Sequence, residues 1–231
     1  APSVSHFFRP ADPFDRAVYA SVEAYWRDLV AIYREEIAEL ARLGCTYVQL
    51  DEVPLAMMSD PNVQARLRAA GQDPEALLDT YIRMANAALS GRPATMKAAM
   101  HLCRGNYKGM WMAEGGYDWV AERMFSEIDV DGFLLEYDTP RAGDFAALRF
   151  LPAGKTAVLG LVSSKSPALE SKDGLRKRID AAAQHAPLDR LALSPQCGFA
   201  SSVGGNPITE DDQRRKLALV VEVASDVWGR A

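Results

Sequence analysis

The sequence predicts an α/β fold in which the strands of a parallel sheet alternate with helices. Short apolar runs rich in β-branched residues recur along the 231 residues, and segments with helical spacing of apolar residues separate them. Several runs are apolar without strict alternation, as in Phe133-Leu134-Leu135, which is typical of strands buried on both faces of a parallel sheet. The six predicted strands cover residues 3–8, 46–50, 95–102, 132–136, 156–162 and 190–194.

The intervals between these runs predict helices, several of which begin at recognisable capping residues. Asp12-Pro13 predicts the start of the first helix, and Gly44 predicts its end. Asp60-Pro61 and Asp73-Pro74 predict two further helix starts, and Thr209 is the expected N-cap of the last helix. The remaining helical patterns cover residues 117–128, 143–149, 171–186 and 209–228.

Two layouts fit this alternation, an open doubly wound sheet and a (β/α)8 barrel. The sequence gives no support to a nucleotide-binding open sheet, because it contains no G-x-G-x-x-G motif after the first run and no phosphate loop. Polar or metal-capable residues follow five successive runs, and the active site of a (β/α)8 barrel lies at that end of its strands. They are Asp51-Glu52, His101 with Cys103, Glu136, Ser163 to Lys165, and Ser194 to Gly198. We therefore predict an α/β fold of the (β/α)8 TIM-barrel type.

Composition and charge narrow the class of protein further. An apolar content of 48% with 25% charged residues is typical of a folded protein, and we treat residues 1–231 as a single domain. The net charge of −5 argues against nucleic-acid binding, and no apolar run approaches the ~18 residues of a membrane span. Three cysteines are too few for a disulfide framework, so we expect a reducing compartment, the cytoplasm.

His101 and Cys103 are the first candidates for metal ligands. Alternate residues of a strand point to the same side, so the imidazole and the thiolate could bind one ion. Glu136 and Cys197, at the ends of two further strands, could complete a set of four ligands, and this set favours zinc over hard cations. Such a site is structural if no ligand can be displaced, and catalytic if one ligand yields to a substrate atom.

Each strand-end residue also has an interpretation without a metal. Glu136 could form an ion pair at the rim of the barrel, and Asp51-Glu52 could cap a helix or pair with loop charges. Cys45 is interpreted as a core residue and His185 as a residue at the end of a helix, so neither is a predicted ligand. His6, near the end of the first run, could face the pocket.

Four motifs follow one another along the chain: V-Q-L-D-E-x-P at residues 48–54, His101-x-Cys103, Glu136, and Pro195-x-Cys197-Gly198. In this combination they resemble the catalytic domain of cobalamin-independent methionine synthase. The opening P-S-V-x-H-F at residues 2–7 and the stretch G-L-V-S-S-K at residues 160–165 resemble its short, single-barrel bacterial relatives. The resemblance covers essentially the whole chain and implies a barrel with zinc held by His101, Cys103, Glu136 and Cys197.

The same resemblance implies a reaction and its substrates. Asp51 matches the residue that holds the amino group of homocysteine, and the sulfur of homocysteine receives a folate-borne methyl group. A free thiol is mostly protonated at neutral pH, whereas zinc makes a coordinating thiol a thiolate, which fits this chemistry. Further predicted substrate contacts are Glu52, His6, Ser163 and Trp111. Tyr107, Met110, Trp111, Met112 and Tyr117 could form a flat wall for the methyl donor or merely pin the loop after Cys103.

The chain departs from the family pattern in two places. Full-length members carry a catalytic His after the seventh strand in an Asp-x-His-Ser pattern, where this chain reads Ser163-Ser164-Lys165-Ser166. Lys165 or another donor would therefore supply the proton for the folate leaving group. The family barrel also has two strand–helix units before the first run, so we expect about six units here, strands three to eight. Either the chain is a fragment, or self-association or a second chain completes the barrel.

Three functions compete at this point. The first is a zinc-dependent methyltransferase that makes methionine from homocysteine and a methyl-folate-type donor. The second is another zinc thiol alkyltransferase of the same fold, such as one that joins an epoxide to coenzyme M. The third is an inactive zinc-binding fragment.

Overall fold

The computed structural model describes residues 1–9 and 13–229 and contains a five-stranded sheet. The strands are β1 (Tyr47–Asp51), β2 (Lys97–Leu102), β3 (Gly132–Glu136), β4 (Thr156–Val162) and β5 (Leu191–Pro195). Each strand pairs in parallel with the next one along the chain, in the order β1-β2-β3-β4-β5. This order has no reversal of the kind that defines a doubly wound sheet, so the TIM-barrel type of α/β fold is confirmed.

Helices lie between the strands and cover the sheet. They are α1 (Ser3–Phe8), α2 (Val22–Arg42), α3 (Val53–Met57), α4 (Pro61–Ala69), α5 (Pro74–Leu89), α6 (Asp118–Glu127), α7 (Lys172–Ala183) and α8 (Glu210–Trp228). Short 3-10 turns at Pro140–Ala142 and Ala146–Phe150 replace the helix predicted over residues 143–149, and a third lies at Leu188–Arg190. Within the described ranges, no helix has both the length and the apolar character needed to cross a membrane.

Most of the predicted helix starts are confirmed by their capping contacts. Asp60 and Asp73 accept hydrogen bonds from the amides two residues on, and Thr209 forms a reciprocal capping box with Asp212. The predicted start of the first long helix is wrong. That helix begins at Val22, where Ser21 accepts a bond from the amide of Ala24, and Asp12 lies outside the described residues.

The first predicted strand, residues 3–8, is also wrong, because this segment forms α1. Its buried residues Ser3, His6 and Phe7 follow the helical spacing of three and four, and not the alternation of a strand. Ser3 Oγ donates to Glu52 at 2.5 Å, and His6 Nδ1 lies 2.8 Å from the hydroxyl of Tyr81 on α5. The sheet therefore has five of the six expected strands.

The sheet has two unpaired edges in the part of the chain that the structure describes, one at β1 and one at β5. Its interior strands are almost wholly buried, with Met100, Phe133 and Leu159 at 0% exposure. At the β1 edge, in contrast, Tyr47 is half exposed and Asp51 is exposed. Completion of the barrel by self-association or a second chain stays a prediction.

Candidate metal centre

Three predicted metal ligands meet at the carboxyl ends of the strands. His101 lies on β2, Cys103 follows that strand, and Cys197 lies two residues beyond β5, yet their ligand atoms are all within 4.8 Å of one another. Three interstrand intervals separate β2 from β5, which would place these side chains roughly 14 Å apart in a flat sheet with ~4.8 Å spacing. The sheet must therefore curl as in a barrel to bring the three donors together.

The environment of the three donors favours a soft cation. Cys103 is buried, and His101 and Cys197 are half-buried. A hydrogen bond from the Cys103 thiol and the nearby charge of Lys165 lower the pKa of Cys197 despite its burial. The same hydrogen bond and burial raise the pKa of Cys103. Two sulfur donors and one imidazole form a donor set that zinc prefers, and the residues present therefore fit a zinc ion.

Glu136, the fourth predicted ligand, lies outside this group of three. Its buried carboxylate accepts the amide hydrogen of Arg104 at 2.7 Å, forms a short ion pair with Arg141 and lies 3.1 Å from the ammonium of Lys165. Burial alone would raise the pKa of Glu136, but the positive charges of Lys165, Arg141 and the Arg104 guanidinium, 3.5 Å away, outweigh it and lower that pKa. Glu136 is thus the centre of a buried ion network beside the three donors, and its role as a metal ligand stays a prediction.

Lys165 and Ser163 belong to the same network. The Lys165 ammonium lies 3.1 Å from Glu136 and 3.4 Å from Asp138, and the hydroxyl of Ser163 donates to Asp138 at 2.9 Å. Burial tends to lower the pKa of Lys165, but the negative charges around it raise it overall. Lys165 is therefore a buried cation placed beside the cluster, and its predicted role as proton donor is not tested by this arrangement.

The position of Cys197 is set by Gln196, the residue before it, which is held by two hydrogen bonds to β4. The side-chain amide of Gln196 donates to the carbonyl of Gly160 at 2.5 Å, and its backbone amide donates to Val162 at 2.8 Å. A Cβ on Gly160 would lie 2.4 Å from the Gln196 Nε2 atom, so only glycine leaves room for this contact. The pairing of β4 with β5 shifts register at the same place. The Cys197 thiol in turn points at Gln196 Oε1, 3.8 Å away.

A cavity of about 530 Å³ opens at this end of the sheet, and His101 and Cys197 form part of its wall. The neutral polar side chains of Gln49, Ser194, Gln196 and Ser201 also line it. Asp51 is exposed there and is paired in register with His101 across β1 and β2. Among the described lining residues Asp51 carries the one carboxylate, so a bound amino group has one obvious partner.

Glu52 and His6, two further predicted substrate contacts, do not line this cavity. Glu52 is fully buried beneath α1, and burial raises its pKa to about 7. His6 is buried between the rings of Trp26 and Tyr81, and burial lowers its pKa. Both side chains hold α1 in place, and their proposed contacts with substrate remain predictions.

The large apolar and aromatic residues of the loop after Cys103 lie partly at the surface and partly in the core. Tyr107, Met110, Trp111 and Met112 are all more than half exposed. The Trp111 ring stacks on the guanidinium of Arg141, 4.5 Å away, so the exposed indole is fixed to the ion network. Tyr117 is fully buried, and its inclusion in a wall for the methyl donor is therefore wrong.

Several residues of the site were missed by the sequence analysis. Arg104, Arg141 and Asp138 complete the ion network around Glu136. Arg104 is fully buried, and the signal was a charged residue directly after Cys103. Arg141 and Asp138 follow β3 in a loop of ordinary composition, and no local pattern distinguishes them.

Comparison with known proteins agrees with this geometry. A family model described as "Cobalamin-independent synthase, Catalytic domain" matches residues 16–226. The uncharacterized protein YxjH of Bacillus subtilis is 40% identical over 215 residues, 93% of this chain and 57% of that protein. The methionine synthase of Pyrococcus abyssi is 27% identical over 181 residues, 78% of this chain and 45% of that protein.

A solved structure is similar over the same region. The crystal structure of a candidate vitamin-B12-independent methionine synthase from Listeria monocytogenes matches with a TM-score of 0.71 and 35% identity, over 91% of this chain and 57% of that one. The chain thus spans about half the length of the relatives it matches. Because the family match includes all five strands and all three clustered donors, the chain belongs to the family of the cobalamin-independent methionine synthase catalytic domain.

Proposed function

We propose that this chain carries the thiol-methylating site of a zinc-dependent methyltransferase, which transfers a methyl group from a methyl-folate-type donor to homocysteine and forms methionine. The observation that carries the proposal is the convergence of His101, Cys103 and Cys197 within 4.8 Å beside a cavity. The family supports a methyltransferase of this kind, and the methionine synthase of Pyrococcus abyssi is a relative by sequence.

The three donors would hold the metal, and the cavity would hold the thiol substrate next to it. Zinc bound there would supply a Lewis acid that lowers the pKa of a coordinating thiol. Asp51 would accept the substrate's ammonium, because its exposed carboxylate stands in register with His101. The two anchoring points would fix the distance between sulfur and amino group, which favours an amino-acid thiol over a simple alkyl thiol.

The donor of the methyl group would approach from the exposed loop after Cys103. Trp111 offers a flat face whose position is set by Arg141, and such a face suits a planar heteroaromatic ring. Lys165 would hold a proton near the reacting atoms, since the charges of Glu136 and Asp138 keep its ammonium in place.

The location proposed for the protein is the cytoplasm, because its cysteines are free, as expected in a reducing compartment.

The proposal is tested by zinc content and methyl transfer in paired cysteine variants. Cys197→Ser should lose zinc and all activity toward homocysteine. Cys45→Ser is the matched control, because Cys45 is a free cysteine two residues before β1 and is not one of the three clustered donors. Full zinc occupancy in Cys197→Ser would remove this residue from the ligand set. Alkylation of other thiols, with none of homocysteine, would contradict the proposed substrate and favour a related thiol alkyltransferase.

A further inference from the structure

The buried hydroxyl of Tyr117 joins the two strand ends that carry the candidate ligands. It donates to the carbonyl of Leu102 at 2.8 Å and accepts the amide hydrogen of Glu136, also at 2.8 Å. Leu102 lies between His101 and Cys103, and the pairing of β2 with β3 ends at Leu102 and Leu135. The hydroxyl therefore bridges the strands at the point where their own ladder stops.

The ring of Tyr117 fixes a second element of the site. The guanidinium of Arg104 stacks on it at 4.2 Å, and the amide of Arg104 donates to the Glu136 carboxylate. Tyr117 thus touches the backbone or the neighbour of three candidate ligands: His101, Cys103 and Glu136. Both backbone groups that it satisfies are buried, so no solvent can take the place of the hydroxyl.

We propose that Tyr117 is a positioning residue for the metal centre, which sets the spacing between the β2 ligands and Glu136 through its hydroxyl. The proposal rests on the function proposed above, since it requires that the three donors bind zinc. Hydrogen-bonding partners outside the ligand set commonly change metal affinity by about 10- to 100-fold. Tyr117 has no contact with the cavity, and its effect would pass through the backbone.

The fold supplies a matched control. Tyr137 is also fully buried, and its ring lies 5.4 Å from that of Tyr117, but its hydroxyl has no hydrogen-bond partner in the described structure. Tyr117→Phe and Tyr137→Phe each remove one buried hydroxyl from the same part of the core. Only the first leaves a carbonyl and an amide of the ligand-bearing strands unpaired.

The experiment measures zinc affinity by competition with a chromophoric chelator, and the visible spectrum of the Co²⁺-loaded protein. We expect Tyr117→Phe to bind zinc about 10-fold more weakly and to show a changed Co²⁺ spectrum, with Tyr137→Phe within about 2-fold of wild type. Equal affinities and spectra for the two variants would overturn the positioning role and leave the proposed function intact. Failure of the wild type to bind zinc would overturn both.

A second measurement needs no variant and covers the case in which Tyr117→Phe does not fold. Because coupling between sites is reciprocal, zinc should slow hydrogen exchange of the Glu136 amide, which donates to Tyr117. The amide of Phe133, at the other end of β3, is the internal reference. Slowing at Glu136 by at least about 5-fold more than at Phe133 is the expected result, and equal slowing of the two amides would contradict the proposal.

Discussion

The ion pair between Lys216 and Glu170 leads to a prediction about the stability of the fold. Lys216, on α8, is fully buried and its ammonium lies 2.9 Å from one oxygen of Glu170. The other oxygen of Glu170 accepts the amide hydrogen of Ser163 at 2.8 Å. The substitution Glu170→Ala would leave a buried ammonium without its counter-charge, and would leave the amide of Ser163 without a partner.

The substitution Glu170→Ala should lower the free energy of unfolding by a large amount for the loss of one partly exposed carboxylate. Breaking a buried ion pair on one side costs ~3–5 kcal/mol, and we expect the lower end, about 3 kcal/mol, because the Glu170 side chain is 24% exposed. In a protein of this size 1 kcal/mol corresponds to roughly 2–4 °C, so the melting temperature should fall by about 6–12 °C. Thermal denaturation followed by circular dichroism measures this shift.

The matched control is Glu222→Ala, which breaks the ion pair between Lys172 on α7 and Glu222 on α8. Both side chains of that pair are about half exposed, so the change should cost at most about 1 kcal/mol. The double variant Glu170→Ala/Lys216→Met should be more stable than Glu170→Ala alone, since it removes the unpaired charge. Equal destabilisation by Glu170→Ala and Glu222→Ala would refute the reasoning.

Three further predictions concern the cavity and the residues around it. Asp51→Asn should weaken binding of an amino-acid thiol, measured by calorimetry, while zinc content stays unchanged; loss of zinc would reassign Asp51 to the metal. Gly160→Ala should lower stability by ~1–3 kcal/mol in urea denaturation, because its Cβ would lie 2.4 Å from Gln196 Nε2 and 2.8 Å from the backbone oxygen of Leu135, and an unchanged midpoint would contradict this expectation. The pKa of Glu52 is raised to about 7 in the folded protein, so its stabilising contribution is present below its ordinary pKa and is lost as the pH rises through 7. Glu52→Gln should flatten that decline between pH 5 and pH 8 in melts, and an unchanged pH profile would contradict it.

Much of the fold was predictable because the relevant signals are local. The apolar runs at 132–136 and 156–162 match β3 and β4 residue for residue, and Thr209 caps α8 as expected. In each case neighbouring residues along the chain carry the pattern. The segment at 3–8 failed because six residues contain both an alternating and a helical spacing of apolar groups. Contacts of Ser3 and His6 with residues 49 and 75 positions away decide between the two.

The candidate site shows the same division. The grouping of His101, Cys103 and Cys197 as candidate metal donors was predictable from their residue types and their places at strand ends, because barrel strands present their carboxyl ends to one face. That Glu136 faces Arg104, Arg141 and Lys165 was not predictable, since Arg104 and Lys165 are 32 and 29 positions away along the chain. The burial of Tyr117 was also not predictable, because the sequence places this residue in the loop after Cys103.

The sequence by itself determined the α/β class, the places of the five strands, and the donor atoms available at the strand ends, because periodicity and residue chemistry are properties of short segments. The tertiary structure alone decided which of those atoms meet. Curling of the sheet brings Cys197 to His101 and Cys103, and the buried charges around Glu136 keep its carboxylate paired with cations. Distances and charge partners depend on residues far apart in the chain, and only packing of the whole domain sets them.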